Sequence, residues 1–421
     1  MKIITSHELF KNQNHEFFKT AALESLQNVE DIIEDIKKNG DKSIIHYSKT
    51  FNDGDFSSGE DFIVSEEEIK KAYEMTDDKT INALEKCIEN VRDFAQEQLS
   101  CLKNLDMKKN NSLLGHRVIP LERVLCYVPG GNYPLPSSAV MTCTPAKVAG
   151  VREVIITSPR IKPQTIVAAK MSGADKIYKL GGVQAIGAFA YGSESIKPVD
   201  KIVGPGNKYV TYAKKYVYGK CSIDFLAGPS EVLIVADNNQ NPELVSADIL
   251  AQCEHDRDAR GYLICFSKDF AQKVADCAQK QLQTLKTGNI AQISFEKSTA
   301  VIVNNIEEAV KISNLRAPEH LELMFDGAWE KSKDFTNYGS LFIGSCCAEV
   351  FGDYCSGTNH VLPTNSAARY TGGLSVFDFV KIQTYQMLSK EYSKELSILA
   401  SQMAQQEGLM GHKLASDLRR I

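Results

Sequence analysis

Between Arg123 and Ile343 short apolar runs rich in Val and Ile alternate with longer runs of helical period, and this alternation constrains the fold more than any other feature. Residues 124–128, 153–157, 176–180 and 200–203 read as strands. Helices are expected at 137–149, 164–171, 183–191 and 208–217. A second series has strands at 231–235, 261–266, 300–303, 321–325 and 341–343, with helices at 242–253, 270–285 and 306–315. Strand–helix alternation at this spacing builds mostly parallel sheets with helices on their faces. Two series predict an α/β protein with two related sheet modules. Residues 1–115 read as mostly helical: one segment carries Leu23, Val29, Ile32, Ile33 and Ile36 and stops at Gly40, and another covers 66–99. The tail 374–421 also reads as helical.

The chain has 421 residues, 43% hydrophobic and 24% charged, enough for two or more domains with real cores. Its net charge of −5 offers no basic excess for a phosphate backbone, so no nucleic-acid partner is expected. No apolar run approaches the roughly 20 residues of a membrane span, so no membrane partner is expected. The N-terminal sequence has no apolar h-region with a cleavage site. The 11 Cys form no C-x-x-C pair and read as reduced thiols of a cytoplasmic protein. Cys346 and Cys347 are adjacent but have no basic neighbour in sequence to lower a thiol pKa.

The chemistry lies in the histidines. His255, His320, His360 and His412 each have a carboxylate or amide close in sequence: Gln252 and Glu254, Glu319, Asp353, and Glu407. That recurrence suggests one site assembled from distant segments. The stretch 352–364, GDYCSGTNHVLPT, holds Asp353 and His360 in a run too polar for a helix or strand interior. Gln252 and His255 are three apart near a helix end and share one face, which suits a joint metal site as well as a simple polar helix terminus. With Asp353 and His412 the donors become two imidazoles, a carboxylate and an amide oxygen, a mix that suits zinc, or Mn²⁺ and Co²⁺ in vitro, better than a thiolate-preferring ion. Glu319 and His320 are adjacent at the start of a strand, where neighbours point to opposite faces. They suit two separate acid–base groups, or a solvated strand end. Gly204-Pro205-Gly206-Asn207 joins a strand to a helix, as phosphate-binding turns do, but Tyr209 stands where a G-x-G-x-x-G motif needs its third glycine. Pro129-Gly130-Gly131 is a similar weak signal, and Ser230 lies in a tight turn where it can face a ligand.

Together YVPGGNYPLPSSAVM, GGVQAIGAFAYG, VDKIVGPGNKYV, SIDFLAGPSEVLIVAD, LAQCEHD, APEHLEL, GDYCSGTNHVLPT and EGLMGHKLA resemble the histidinol dehydrogenase family, over nearly the whole of 124–421. The resemblance implies a zinc enzyme that takes L-histidinol to L-histidine through L-histidinaldehyde with NAD, in the last steps of histidine biosynthesis. It implies an intertwined homodimer whose subunits have two incomplete Rossmann-like parallel-sheet domains and helical N- and C-terminal extensions. The implied division is an extension 1–19, a main domain 20–126 plus 231–373, an NAD-binding domain 127–230 and an extension 374–421 that reaches the partner's active site. Gln252, His255, Asp353 and His412 would bind zinc, and Glu319 and His320 would be catalytic. Substrate would meet Ser230, Glu349, His360 and Glu407 besides Gln252, His255, His320, Asp353 and His412, while NAD would meet Tyr127, Gln184 and Asn207. The stretch YTGGLS at 370–375 departs from the more serine-rich form of the family, and residues 1–115 carry no diagnostic motif. Other readings are a related dehydrogenase of another amino or sulfonated alcohol, a zinc hydrolase, and a non-catalytic binding protein.

Overall fold

The structure, a computed structural model, describes residues 1–11, 16–18, 26–130 and 134–420. Leu23 of the first helical segment and Gly131 lie outside the described residues. In chain order the strands are β1 Lys2–Thr5, β2 Leu105–Lys109, β3 Ser112–Pro120, β4 Arg123–Tyr127, β5 Glu153–Thr157, β6 Lys176–Tyr178 and β7 Lys201–Val203. They continue with β8 Ser222–Ile223, β9 Glu231–Ala236, β10 Arg260–Cys265, β11 Thr299–Ile302, β12 His320–Met324, β13 Ser340–Ile343 and β14 Val380–Met387.

Two all-parallel sheets result, ordered β6-β5-β4-β7-β8 and β1-β11-β10-β9-β12-β13. Each series starts in mid-sheet, winds outward through two strands, then crosses to the other side of its first strand. This is the doubly wound Rossmann-like order without its sixth strand. In the second sheet β1 extends the far edge, so the first residues supply a strand where helix was expected.

The strand interiors explain why both faces are covered. Along β4, Val124 and Cys126 enter one core while Leu125 and Tyr127 enter another. Along β9, Val232, Ile234 and Ala236 face one core, and Leu233 and Val235 the other. All six residues of β9 are buried, as befits a central parallel strand. The helices Gln27–Asn39 and Asp41–Thr50 close one face of the five-stranded sheet with Val29, Ile33, Ile36 and Ile44. The helices Glu66–Glu74 and Asp78–Ser100 close the other with Ile69, Leu84, Ile88 and Val91. Gly40 sits at φ +52° and ends the first of these helices, as expected. The resemblance groups 20–126 with 231–373, but these apolar faces pack on the five-stranded sheet, of which β4 is the central strand.

Two expectations need correction. The tail is not helical throughout: Val380–Met387 forms β14, which pairs antiparallel with β3, itself paired with β2. Only beyond it come the helices Lys390–Gln406 and Met410–Asp417. Residues 349–354 form a short helix, so Gly352 and Asp353 belong to its last turn rather than to the loop that follows. Among the described residues no helix is long and apolar enough to cross a membrane.

Candidate active site

Only seven residues, 224–230, separate β8 from β9. A strand that leaves the carboxyl edge of one parallel sheet thus feeds directly into the amino edge of the other. The two edges meet, and nearly all the singled-out residues gather there.

On the six-stranded side, strands β9 and β12 are neighbours at the point where the winding reverses. Glu231 opens β9, and its backbone holds the Glu319–His320 pair. The Glu231 N–H donates to Glu319 Oε2 at 2.9 Å, and the Glu231 carbonyl meets His320 Nδ1 at 3.1 Å. A carbonyl only accepts, so Nδ1 carries the hydrogen and Nε2 turns to Asp353. That Nε2 lies 3.5 Å from Asp353 Oδ1, while Nδ1 is 3.7 Å from Glu319 and 4.0 Å from Glu349. Sequence alone left open a solvated strand end, but both side chains are buried. They also stand at the amino edge of their strand, whereas ligands of open α/β sheets usually meet the carboxyl edge.

Glu231 is itself anchored. Arg316, at the end of the helix Ile306–Arg316, donates through Nε to Glu231 Oε2 at 2.7 Å, and through Nη1 to the Phe17 carbonyl at 2.9 Å. Both members of this ion pair are buried.

The helices Pro242–Cys253 and Glu349–Tyr354 supply the remaining groups. Gly352 lets the second approach the sheet, because a Cβ there would lie 2.7 Å from the Phe342 ring. Gln252 is buried, and with its nitrogen turned inward it donates to both Glu349 oxygens at 2.9 and 3.1 Å. Its oxygen then accepts from the Glu231 N–H at 3.3 Å. The Glu349 N–H donates to Glu322 Oε1 at 2.9 Å. His360 faces the Asp353 carbonyl at 2.8 Å through Nδ1, and Ser138 Oγ at 3.4 Å through Nε2. Ser138 begins the helix that follows β4, so the five-stranded sheet closes the site from above. Ser230, half-buried, immediately precedes β9.

Electrostatics follows from crowding acids around one imidazole. Burial pushes Glu319 up to about 7, with His320 pulling the other way. Burial alone would lower the His320 pKa, but Glu319, Glu349 and Asp353 raise it well above the usual value. Burial also raises Glu349 well above the usual carboxylate range. Asp353 moves down in spite of its burial, through the hydrogen bond and charge of His320. His255, two residues beyond its helix, keeps part of its surface open, yet desolvation lowers its pKa against the pull of Asp353.

On the five-stranded side, β4 and β7 mark the reversal of winding. Gly204 ends β7 so close to β4 that a Cβ would meet the Tyr127 carbonyl at 2.1 Å. The Gly204 N–H donates to Asp224 at 2.7 Å, its carbonyl accepts from Lys214 Nζ at 2.9 Å, and Lys214 and Asp224 form a buried ion pair. Asn207 caps the helix Lys208–Val217 by accepting from Tyr209 N and Val210 N at 3.0 and 3.1 Å. The Tyr127 hydroxyl accepts from Gly182 N at 3.1 Å, and burial raises its pKa. Gln184 lies two residues further on, and the oxygen of its amide is buried without a hydrogen-bond partner.

This arrangement has known counterparts. The family model described as histidinol dehydrogenase matches residues 18–420. The chain belongs to the histidinol dehydrogenase family. Relatives named histidinol dehydrogenase include one from Methanococcus maripaludis, 45% identical over 93% of this chain and 92% of that protein. Another, from Clostridium acetobutylicum, is 41% identical over 92% and 91% of the two chains. The crystal structure of histidinol dehydrogenase from Elizabethkingia anophelis matches with a TM-score of 0.92 and 35% identity, over 99% of this chain and 96% of that one. These are oxidoreductases by name.

Against this family's expected zinc, the donor chemistry fits in part. His255 and Asp353 are held towards the deprotonated forms that a metal needs. Gln252 has to turn its oxygen away from Glu231. His412 lies exposed on the helix Met410–Asp417, and Glu407 is exposed in the turn before it. Among the described residues no three His, Cys, Asp or Glu side chains stand together as a metal cluster. A single chain therefore does not assemble the four expected ligands. Glu231, Arg316 and Glu322 had no signal of their own in the sequence, although a buried Arg always calls for an acid.

Proposed function

We propose that the protein oxidises L-histidinol to L-histidine through L-histidinaldehyde, with NAD and zinc, at the end of histidine biosynthesis in the cytoplasm. The observation that carries this reading is the Glu319–His320 pair held by the two ends of one strand residue, Glu231, beside His255 and Asp353. Gln252, His255 and Asp353 would hold zinc together with His412 of the partner subunit, since His412 is exposed in its own chain. The C-terminal segment 374–421 reaches across a homodimer in this reading, and Glu407 of the partner subunit joins substrate recognition. Residues 127–230 form the NAD-binding domain, with Tyr127, Gln184 and Asn207 at the cofactor. Tyr127 and Asn207 lie at the carboxyl edge of the five-stranded sheet, where its winding reverses and where open α/β sheets bind ligands. When bound, zinc would position the imidazole and amine of the substrate, and two NAD⁺ molecules in succession would each accept one hydride.

His320 Nε2 removes the hydroxyl proton as the alcohol is oxidised. It can do so only unprotonated, a form favoured once Asp353 is engaged by a cation rather than by the ring. Glu319 takes a proton from the water that attacks the aldehyde carbon; a carboxyl with a pKa of about 7 suits that base role near neutrality. His320 takes the hydroxyl proton of the hydrated aldehyde in the second oxidation. Ser230, Glu349 and His360 line the same cavity as substrate contacts, with Glu349 also bracing Gln252. The test is NADH formation with L-histidinol before and after chelation and after adding zinc back. Two NADH per histidinol, lost on chelation and restored by zinc, are expected; no NADH with metal restored overturns the substrate assignment.

A further inference from the structure

Asp53, in the loop after the helix Asp41–Thr50, was not singled out in the sequence and lies 131 residues from Gln184 along the chain, yet the fold brings the two together. Asp53 is 7% exposed, tethered by its own N–H to the Ser48 carbonyl at 2.8 Å. Its Oδ2 accepts from Gly181 N at 2.6 Å and from Gln184 Nε2 at 3.1 Å. A carboxylate accepts and does not donate, so it dictates which way the Gln184 amide turns: nitrogen towards Asp53, oxygen away. That oxygen lies over Gly182, where a Cβ would come within 2.7 Å of it. Gly182 has φ +61° and gives its N–H to the Tyr127 hydroxyl. The two groups expected to meet the cofactor therefore converge on one glycine. One of them presents a buried acceptor that no protein group satisfies. An unpaired buried acceptor is destabilising unless something donates to it.

We infer that Asp53 is a positioning residue for the dinucleotide: it holds the Gln184 amide so that its oxygen accepts from a carboxamide or ribose hydroxyl of NAD. This rests on the reading of Gln184 as an NAD contact. Burial pushes the Asp53 carboxyl up to about 6, against the Gly181 and Gln184 hydrogen bonds and the nearby Arg160 charge.

The test is titration calorimetry of NAD⁺ binding to the full-length protein without substrate, for wild type, Asp53→Ala, Asp53→Asn, Gln184→Ala and the Asp53→Ala/Gln184→Ala double variant. Asp53→Ala and Gln184→Ala should each weaken binding roughly tenfold, the loss of about one directed hydrogen bond. Asp53→Asn keeps an acceptor for both donors and should bind within about threefold of wild type. The double variant should bind no more weakly than Gln184→Ala, because residues acting through one another are not additive. Wild-type affinity in Asp53→Ala overturns the inference, as do additive losses or an Asp53→Asn as weak as Asp53→Ala. Wild-type affinity in Gln184→Ala instead refutes Gln184 as a contact. If Asp53→Ala does not fold, a structure of the wild-type protein with NAD⁺ decides: a Gln184 nitrogen turned towards the cofactor overturns the inference.

Discussion

Replacing Glu319 by Gln separates the two halves of the proposed reaction. The substitution is nearly isosteric, and the Gln oxygen can still accept from the Glu231 N–H, so the local structure should hold. What disappears is a carboxylate able to take a proton from water. Loss of a positioned general base costs about 10²–10⁴-fold in the step it serves. The first oxidation does not use it. There the substitution removes the largest of the anionic influences that raise the His320 pKa, so the imidazole is freed at lower pH than before. In a single turnover with excess enzyme and saturating NAD⁺, absorbance should therefore rise in two unequal phases. The first NADH should form within about threefold of the wild-type rate, and the second about 10²–10⁴-fold more slowly. The sign of the pH effect is fixed by the same residue. A base works deprotonated, so the wild-type aldehyde step should speed up as pH rises through about 7 and then level off. In Glu319→Gln that limb should vanish. Equal slowing of both phases, or an unchanged second phase, would refute the division of roles.

His320→Asn should slow both phases by about 10²-fold or more, since the same nitrogen serves both oxidations; a phase that survives at wild-type rate removes His320 from that step. Asp224→Ala leaves Lys214 as an uncompensated buried charge and should cost about 3–5 kcal/mol in urea unfolding, with weaker NAD⁺ binding because Gly204 loses its acceptor; wild-type stability contradicts the clamp. Inactive His412→Ala and His255→Ala dimers, mixed under conditions of subunit exchange, should regain activity in the heterodimers. No recovery there refutes the shared site.

The two parallel sheets were legible because central strands such as β9 are continuous apolar runs bounded by turns, and the predicted boundaries fall within a residue or two for most of them. The strand β14 was hidden: V-K-I-Q-T-Y-Q-M carries its apolar residues at 380, 382, 385 and 387, so the alternation slips midway, and most of the strand is exposed. The far strand of its sheet, β2, LDMKK, is exposed throughout and too short for its alternation to stand out. At the site, the residues carried by short motifs were found. Gln184 had a local sign, a single amide within an otherwise apolar helix, GVQAIGAFAY. Arg316 and Glu231 are 85 residues apart, and Asp53 and Gln184 are 131 apart, so no local pattern links either pair. The same holds for His412, whose neighbours in the proposed dimer lie on the other subunit.

The hold of Glu231 on Glu319 and His320 has one more implication. Pairing between β9 and β12 begins at Val232 and His320, so the Glu231 peptide groups are the last rung before the ladder starts. In most sheets such a rung is left to water. Here both of its bonding positions are occupied by reactive side chains, so their spacing is inherited from strand geometry rather than negotiated by packing. In the proposed mechanism these groups would need little reorganisation during turnover, as preorganised sites require. The same coupling makes register a functional quantity: slippage of β12 by one residue would put Leu321 where His320 stands, and the chain would lose its chemistry and its core in a single event.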